Sequence, residues 1–516
     1  MNGRLSLFLQ LALWVTMAMA SGSGCGDGID LTSNQMSYGP YSNSTTVDGG
    51  LGGSPDLNAP TFMTGALTAT GITNSTITLS WPSATDKETL IENLQYLLVY
   101  SYYYEDVNGE ANAQTLATQA MAWSSATLSK QVSGLESSML YYFNVLVRDS
   151  VGNVKALGVT SFSTLATITA ASTHQAGSFL VGQVAPNAWI NSSPSVAPAD
   201  LPFMLSGPTG VAANSKYLFV ADKGNNRVTA YSLPIASDGP TVSFVLGQSS
   251  AITNAAGTAM NQMNAPQAVY VRGEKVFVAD QGNSRVLIWN STPLPGENGA
   301  AAAVMVGDAN GCGATKLNAP AAVTSDGHNL IVTDTGNHRI LIYHSIPTTS
   351  GATPDVVLGQ NSLIDCSSIL GFSSPKGVWT DGTRLAVVDN DLPYNRVNFW
   401  NTLPTSNNQL PDFMLTSISV NASPVPFTSP ESIASNGVQF FMSDSNMCSV
   451  YGWGSMPTSA SSYPTIVLGQ ASIGSSVPEA SAVGLKGPTS IFLSGSTMWV
   501  ADTIFNRVVG YSIPSH

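Results

Sequence analysis

Charge is what this chain has least of. Only 9% of its 516 residues are Asp, Glu, Lys or Arg, against roughly 25% in ordinary soluble domains. Its 18 basic residues never gather into a run, and the formal net charge is −13. That excludes nucleic acid as a partner, because a phosphate backbone is held by clustered lysine and arginine. Four cysteines are too few to build a disulfide scaffold of this length. There are five histidines, His174, His328, His338, His344 and His516, too scattered to assemble an acid–base pair. No nucleophile elbow, Walker loop, dinucleotide fingerprint, HExxH or CxxC occurs, which removes the commonest hydrolase, nucleotide and zinc signatures. The uncharged run from Leu5 to Ala20 has sixteen residues, short of the about 20 that a spanning helix needs.

What is present is repetition. A proline opens each of six copies, at Pro208, Pro266, Pro320, Pro375, Pro430 and Pro488, spaced 54 to 58 residues apart. An aspartate follows each at a fixed fourteen-residue offset: Asp222, Asp280, Asp334, Asp389, Asp444 and Asp502. A constant offset inside a nearly constant period marks a repeat architecture. Each copy reads as short strands: an alternating run after the proline, a β-branched or aromatic run ending in the aspartate (YLFVAD, KVFVAD, NLIVTD), a Gly/Asn loop, and a third run such as NRVTAYS or HRILIYH. Such runs, bounded by Gly, Asn and Pro, are strand and hairpin signals. A fourth run, as in SFVLGQ and DVVLGQ, lies between copies.

Four strands at this period describe a propeller blade. The last copy ends at His516 without a fourth strand, while an orphan one, SFLVGQ (178–183), precedes the first. It is expected to complete the last blade and remove an exposed edge. The pattern P…G/A-V…VAD-x-GN-x-R-V resembles the NHL-repeat propeller family over roughly Ser178 to His516. The added VLGQ strand is similar to the version in bacterial surface proteins. Five copies keep the motif arginine, as Arg227, Arg285, Arg339, Arg396 and Arg507; the fifth copy has Ser449 instead. These aspartates and arginines are assigned to holding the blade loops. A ring of carboxylates also invites a metal, but a residue repeated in every blade serves the blade, and no metal or cofactor is expected.

Ahead of the repeats, residues 1–24 read as a signal peptide. Ser23-Gly24-Cys25 resembles the end of a bacterial lipobox, with Gly22 where leucine is usual, so Cys25 is the expected lipidation site; cleavage after Ala20 is the alternative. Residues 25–57, rich in Gly, Ser, Asn and Asp, read as a flexible tether. Residues 58–165 alternate as half-buried strands do, in ITLSW and at Tyr141, Phe143, Val145 and Val147. With Leu135 six residues before Tyr141 as a tyrosine corner, this segment resembles a fibronectin type III sandwich. Residues 172–516 form the propeller.

The fold class is therefore all-β, a fibronectin type III-like sandwich followed by a six-bladed propeller. The function expected is non-catalytic binding of a protein or polysaccharide by an exported, cell-surface, monomeric lipoprotein that touches a membrane only through its lipid. An extracellular lyase or hydrolase, or a purely structural surface module, are the alternatives. Binding is placed at the axial mouth, on the residues after the repeat prolines that vary between copies: Gln267, Lys376 and Glu431, with the first-strand aromatics Tyr270 and Trp379. Cys312 and Cys366 occupy matching places in adjacent repeats, where either a bridge or free thiols are possible.

Overall fold

The computed structural model describes residues 56–166, 175–183, 204–366, 371–390 and 395–512. The expected signal peptide, Cys25, almost all of the tether and most of the connection 184–207 lie outside the described residues. Among the described residues nearly all regular structure is strand, and no helix is long and apolar enough to cross a membrane.

Each repeat forms one four-stranded antiparallel sheet with its strands in sequence order. In sheet 1, Pro208–Ala213, Tyr217–Asp222, Arg227–Ser232 and Phe244–Leu246 pair in turn. In sheet 6, Pro488–Ser494, Thr497–Asp502 and Arg507–Ser512 are joined by Phe179–Val181, which pairs residue for residue with Val508–Gly510. The orphan strand thus closes the last sheet. The first strand of every sheet touches those of the sheets before and after, and the sixth touches the first, so the six sheets form a closed cycle.

The sequence explains the packing. The second strands are buried along their whole length, as in Tyr217–Asp222 and Leu330–Asp334, or in all but their first residue, as in Lys275–Asp280 and Thr497–Asp502, because neighbouring sheets cover both faces; such strands read as continuous apolar runs. Each fully buried Val, Leu or Ile contributes about 1.5–3 kcal/mol of burial. In four sheets the opening proline pairs with the repeat aspartate and the register then slips. Proline has no N–H to offer the ladder, and a bulge absorbs the mismatch. Just past it, a Cβ on Gly210 would lie 2.7 Å from the Ala268 Cα, and one on Gly377 2.7 Å from the Ser432 Cα. Only glycine lets those first strands approach so closely.

Residues 61–163 fold as a second body of small antiparallel sheets. Thr68–Thr70, Thr76–Ser80 and Ser129–Ser133 form one, and Gln95–Ser101 pairs with Leu140–Arg148 in another. Their core is Ile77, Leu79, Trp81, Tyr96, Tyr141 and Phe143 among others. The Tyr141 hydroxyl accepts the Glu136 N–H at 2.8 Å, beside buried Leu135, so the corner forms as expected. The run LQYLLVYSYYY does not continue as a strand. It ends at Ser101, whose hydroxyl donates to Asp106 (2.6 Å) and accepts the Tyr103 N–H (3.1 Å), turning the chain into a short helix at Tyr104–Val107.

Cys312 and Cys366 form a disulfide between the segments that lead into sheets 3 and 4, and Cys448 is a buried free cysteine. The bridge takes the first of the two alternatives left open by the sequence.

Candidate functional site

The repeat aspartates and arginines are fully committed inside the sheets. In sheet 3, one carboxylate oxygen of Asp334 accepts the Asn318 N–H (2.7 Å). The other accepts Arg339 Nε and Asn337 Nδ2, both at 2.8 Å. The guanidinium then donates to the Lys316 carbonyl at 2.9 Å. The carboxylate thus holds the backbone two residues before the repeat proline, and the arginine holds it four residues before. Asp222–Arg227, Asp280–Arg285 and Asp502–Arg507 repeat the pairing at 2.8 Å, and Asp389–Arg396 at 3.0 Å. In sheets 1, 2, 3 and 6 the loop between them is a 3-10 turn ending on a left-handed residue, Asn226, Ser284, His338 or Asn506. Burial raises these aspartates above the ordinary carboxylate range, Asp502 to about 6, with the arginine partly offsetting it. Asp444, which has no arginine, instead accepts Thr428 and Ser429 N–H groups and the Thr428 hydroxyl.

One end of the cycle lies at the prolines. Here, at sheets 2 and 5, the residue after the proline meets the residue after the preceding sheet's aspartate. Lys223 Nζ donates to Gln267 Oε1 (2.6 Å) and Gln281 Oε1 (2.8 Å). Lys376 pairs with Glu431 at 2.8 Å, and Glu431 also accepts Asn390, Ser429 and Ser445. Three of the expected binding residues, Gln267, Lys376 and Glu431, therefore share one polar mouth. Lys223, Gln281 and Asn390 were missed, although their place directly after the repeat aspartates was there to read.

Tyr270 and Trp379 stand further along the first strands and line a different space. A cavity of about 590 Å³ runs from there toward the opposite end, walled by the first strands of all six sheets and by residues 136–140 and 163–166 of the N-terminal body. Tyr270 donates its hydroxyl to the Ser325 carbonyl (2.8 Å) and its ring meets Phe492 at 6.2 Å. Trp379 donates Nε1 to the Ser435 carbonyl (3.1 Å), and the Arg384 guanidinium lies 5.6 Å from its ring centre. Each aromatic thus both bridges to the next sheet and walls the cavity. Arg384 forms a 2.7 Å ion pair with Asp381, which also accepts the turn amides of Thr383 and Arg384.

The N-terminal body covers this end from one side. The sixth position after the proline is an Asx residue that folds the hairpin turn in four sheets: Asn214, Asp326, Asp381 and Asn436. In sheet 2 it is Arg272, only 7% exposed, and its guanidinium donates to the Leu140 carbonyl (2.6 Å) and the Tyr102 carbonyl. The Tyr103 hydroxyl donates to the Arg272 carbonyl and accepts the Lys275 N–H (2.9 Å). The Tyr104 ring meets that of His328 at 4.4 Å, tilted by 44°, and its N–H donates to the Gly327 carbonyl. Val438, Gly495 and Ser215, on the turns of sheets 5, 6 and 1, stay exposed. The Tyr102–Tyr104 run therefore docks on the chain's own repeats. Its signal was Arg272 breaking the Asx pattern.

No protein-family model matches the chain, and no curated protein matches it. Among solved structures, similarity extends to a nidogen/laminin complex (16% identity, 51% of this chain and 81% of that one, TM-score 0.33). It extends also to the PQQ-bound aldose sugar dehydrogenase of Streptomyces coelicolor (13%, 60% and 94%, TM-score 0.35). Over the N-terminal body it includes a human fibronectin type III domain (23%, 22% and 93%, TM-score 0.16). Likenesses this distant carry no argument about function.

Proposed function

We propose that the six sheets are an NHL-type β-propeller, and that with its fibronectin type III-like sandwich it serves as an exported, non-catalytic binding protein. The observation that carries this reading is the 590 Å³ cavity between the first strands and the sandwich. Its volume falls within the 300–1,000 Å³ of small-molecule sites, so the ligand is a small molecule or a short glycan segment rather than a folded protein surface. Partly exposed rings of Tyr270, Trp379 and Phe492 offer flat apolar faces, and the Asn436 and Asn214 turns add polar rims. Rings with a few placed polar groups suit a sugar. Catalysis is the weaker reading, because Asp381 is tied to Arg384 and to two backbone amides and so makes a poor general base. Export and lipidation at Cys25 rest on the N-terminal sequence, and the Cys312–Cys366 bridge accords with an oxidising compartment. The test is a screen of the purified mature chain against soluble oligosaccharides and surface polysaccharides. Saturable capture is expected, and no capture across a broad array would contradict the reading.

A further inference from the structure

The mouth at the prolines has a charge imbalance that packing does not explain. Lys223 is half-buried, yet its two hydrogen-bond partners are the neutral amide oxygens of Gln267 and Gln281. Among the described residues it forms no ion pair with a carboxylate. The acid that acts on it across the mouth, Glu431, is already held by Lys376, Asn390, Ser429 and Ser445. The side chain of Glu431 is 11% exposed and that of Lys376 31%. Lys376 and Glu431 both act electrostatically on Lys223 across the mouth. Two ammonium groups thus share one carboxylate, leaving one uncompensated positive charge in a partly desolvated place. Neutral hydrogen bonds offset only part of the cost of taking a charge out of water. Because Lys223 holds Oε1 of both glutamines, their Nε2 groups are left as donors.

We propose that this mouth is a binding site for a small oxyanion, a carboxylate or phosphate group, held between the Lys223 and Lys376 ammonium groups and the Gln267 and Gln281 amides. The oxyanion supplies the missing negative charge, and its lone pairs match donors that already converge. The site is distinct from the cavity under the sandwich. None of Lys223, Gln267, Gln281, Lys376 and Glu431 lines that cavity, which reaches only as far as the residues after three of them, Ala268, Gly377 and Ser432. Either site can therefore fail without the other.

The proposal is tested on the purified mature chain in two ways. A crystal soaked in bromide is expected to show an anomalous peak in contact with both ammonium groups. Calorimetric titration with sodium acetate and with sodium phosphate, at fixed pH and ionic strength, is expected to saturate for one of them. Saturation by acetate alone assigns a carboxylate ligand, and by phosphate alone a phosphoryl one. Lys223→Met and Lys376→Met should each weaken binding by about tenfold or more, the loss of a charged hydrogen bond. Glu431→Gln, which removes the competing negative charge, should tighten it by about threefold. That gain cannot come from misfolding. A mouth without bromide together with no saturation by either anion overturns the proposal. So do affinities that all three substitutions leave unchanged.

Discussion

Asp334 has no exposed side-chain surface, yet it is a carboxylate with a guanidinium 2.8 Å away. Such a pair adds little net stability over an apolar substitute, but breaking it strands a charge. Arg339→Ala should therefore lower unfolding free energy by about 3–5 kcal/mol, measured by urea denaturation. Arg339→Lys should recover only part, since lysine cannot fork to the carboxylate and to the Lys316 carbonyl together. A loss below about 1 kcal/mol would mean that the pair is not the latch described. The pH dependence follows from the same burial. Asp502 lies at about 6 in the fold and near 3.9 when unfolded. Between those values the folded state holds a proton that the unfolded state has lost. Its stabilisation is full below about 3.9 and is lost as pH rises through about 6. Melting temperature should accordingly rise as pH falls from 7 toward 5, and Asp502→Asn should flatten that rise. A melting temperature that falls over this range, or an unchanged slope in the variant, would contradict the assignment.

At the level of elements, much of the architecture was legible because it was repeated. The fixed Pro–Asp offset gave the strand pairs their register, and the missing sixth fourth-strand pointed to Phe179–Val181 as the partner of Arg507–Ser512. Deleting residues 177–183 should leave the third strand of sheet 6 as an open edge and promote aggregation, read by size-exclusion chromatography. A soluble, monomeric deletion of unchanged stability would mean that this sheet closes by other means. The less legible parts lie where one copy departs from the others. Arg272 serves the sandwich rather than its own turn, and the Tyr102–Tyr104 strip makes sense only against sheets 2 and 3. Local propensity cannot announce a contact between residues about 170 positions apart in sequence. The five expected binding residues were split for a related reason. Variation after the proline and aromatic content four residues on are both visible in sequence, but which end of the strand each faces is a matter of register.

The molecule as a whole places an aromatic-walled cavity beneath an N-terminal β body that covers it from one side. If Cys25 is lipidated, the mature protein partitions into detergent and Cys25→Ser moves it to the soluble fraction; a mature chain beginning at Ser21 with no added mass would refute the anchor. The central claim is that the cavity is where ligand binds. The repeat itself supplies the most direct test. Ala434 walls the cavity at the position where the preceding sheet carries Trp379, so Ala434→Trp puts a ring where this architecture already accepts one. The measurement is equilibrium affinity for the tightest ligand from the oligosaccharide screen, in wild type and Ala434→Trp, with melting checked in both. Melting is expected to change by no more than the about 1–3 kcal/mol of overpacking, while affinity falls by tenfold or more. Wild-type affinity in a folded Ala434→Trp protein would place the ligand elsewhere and contradict the account.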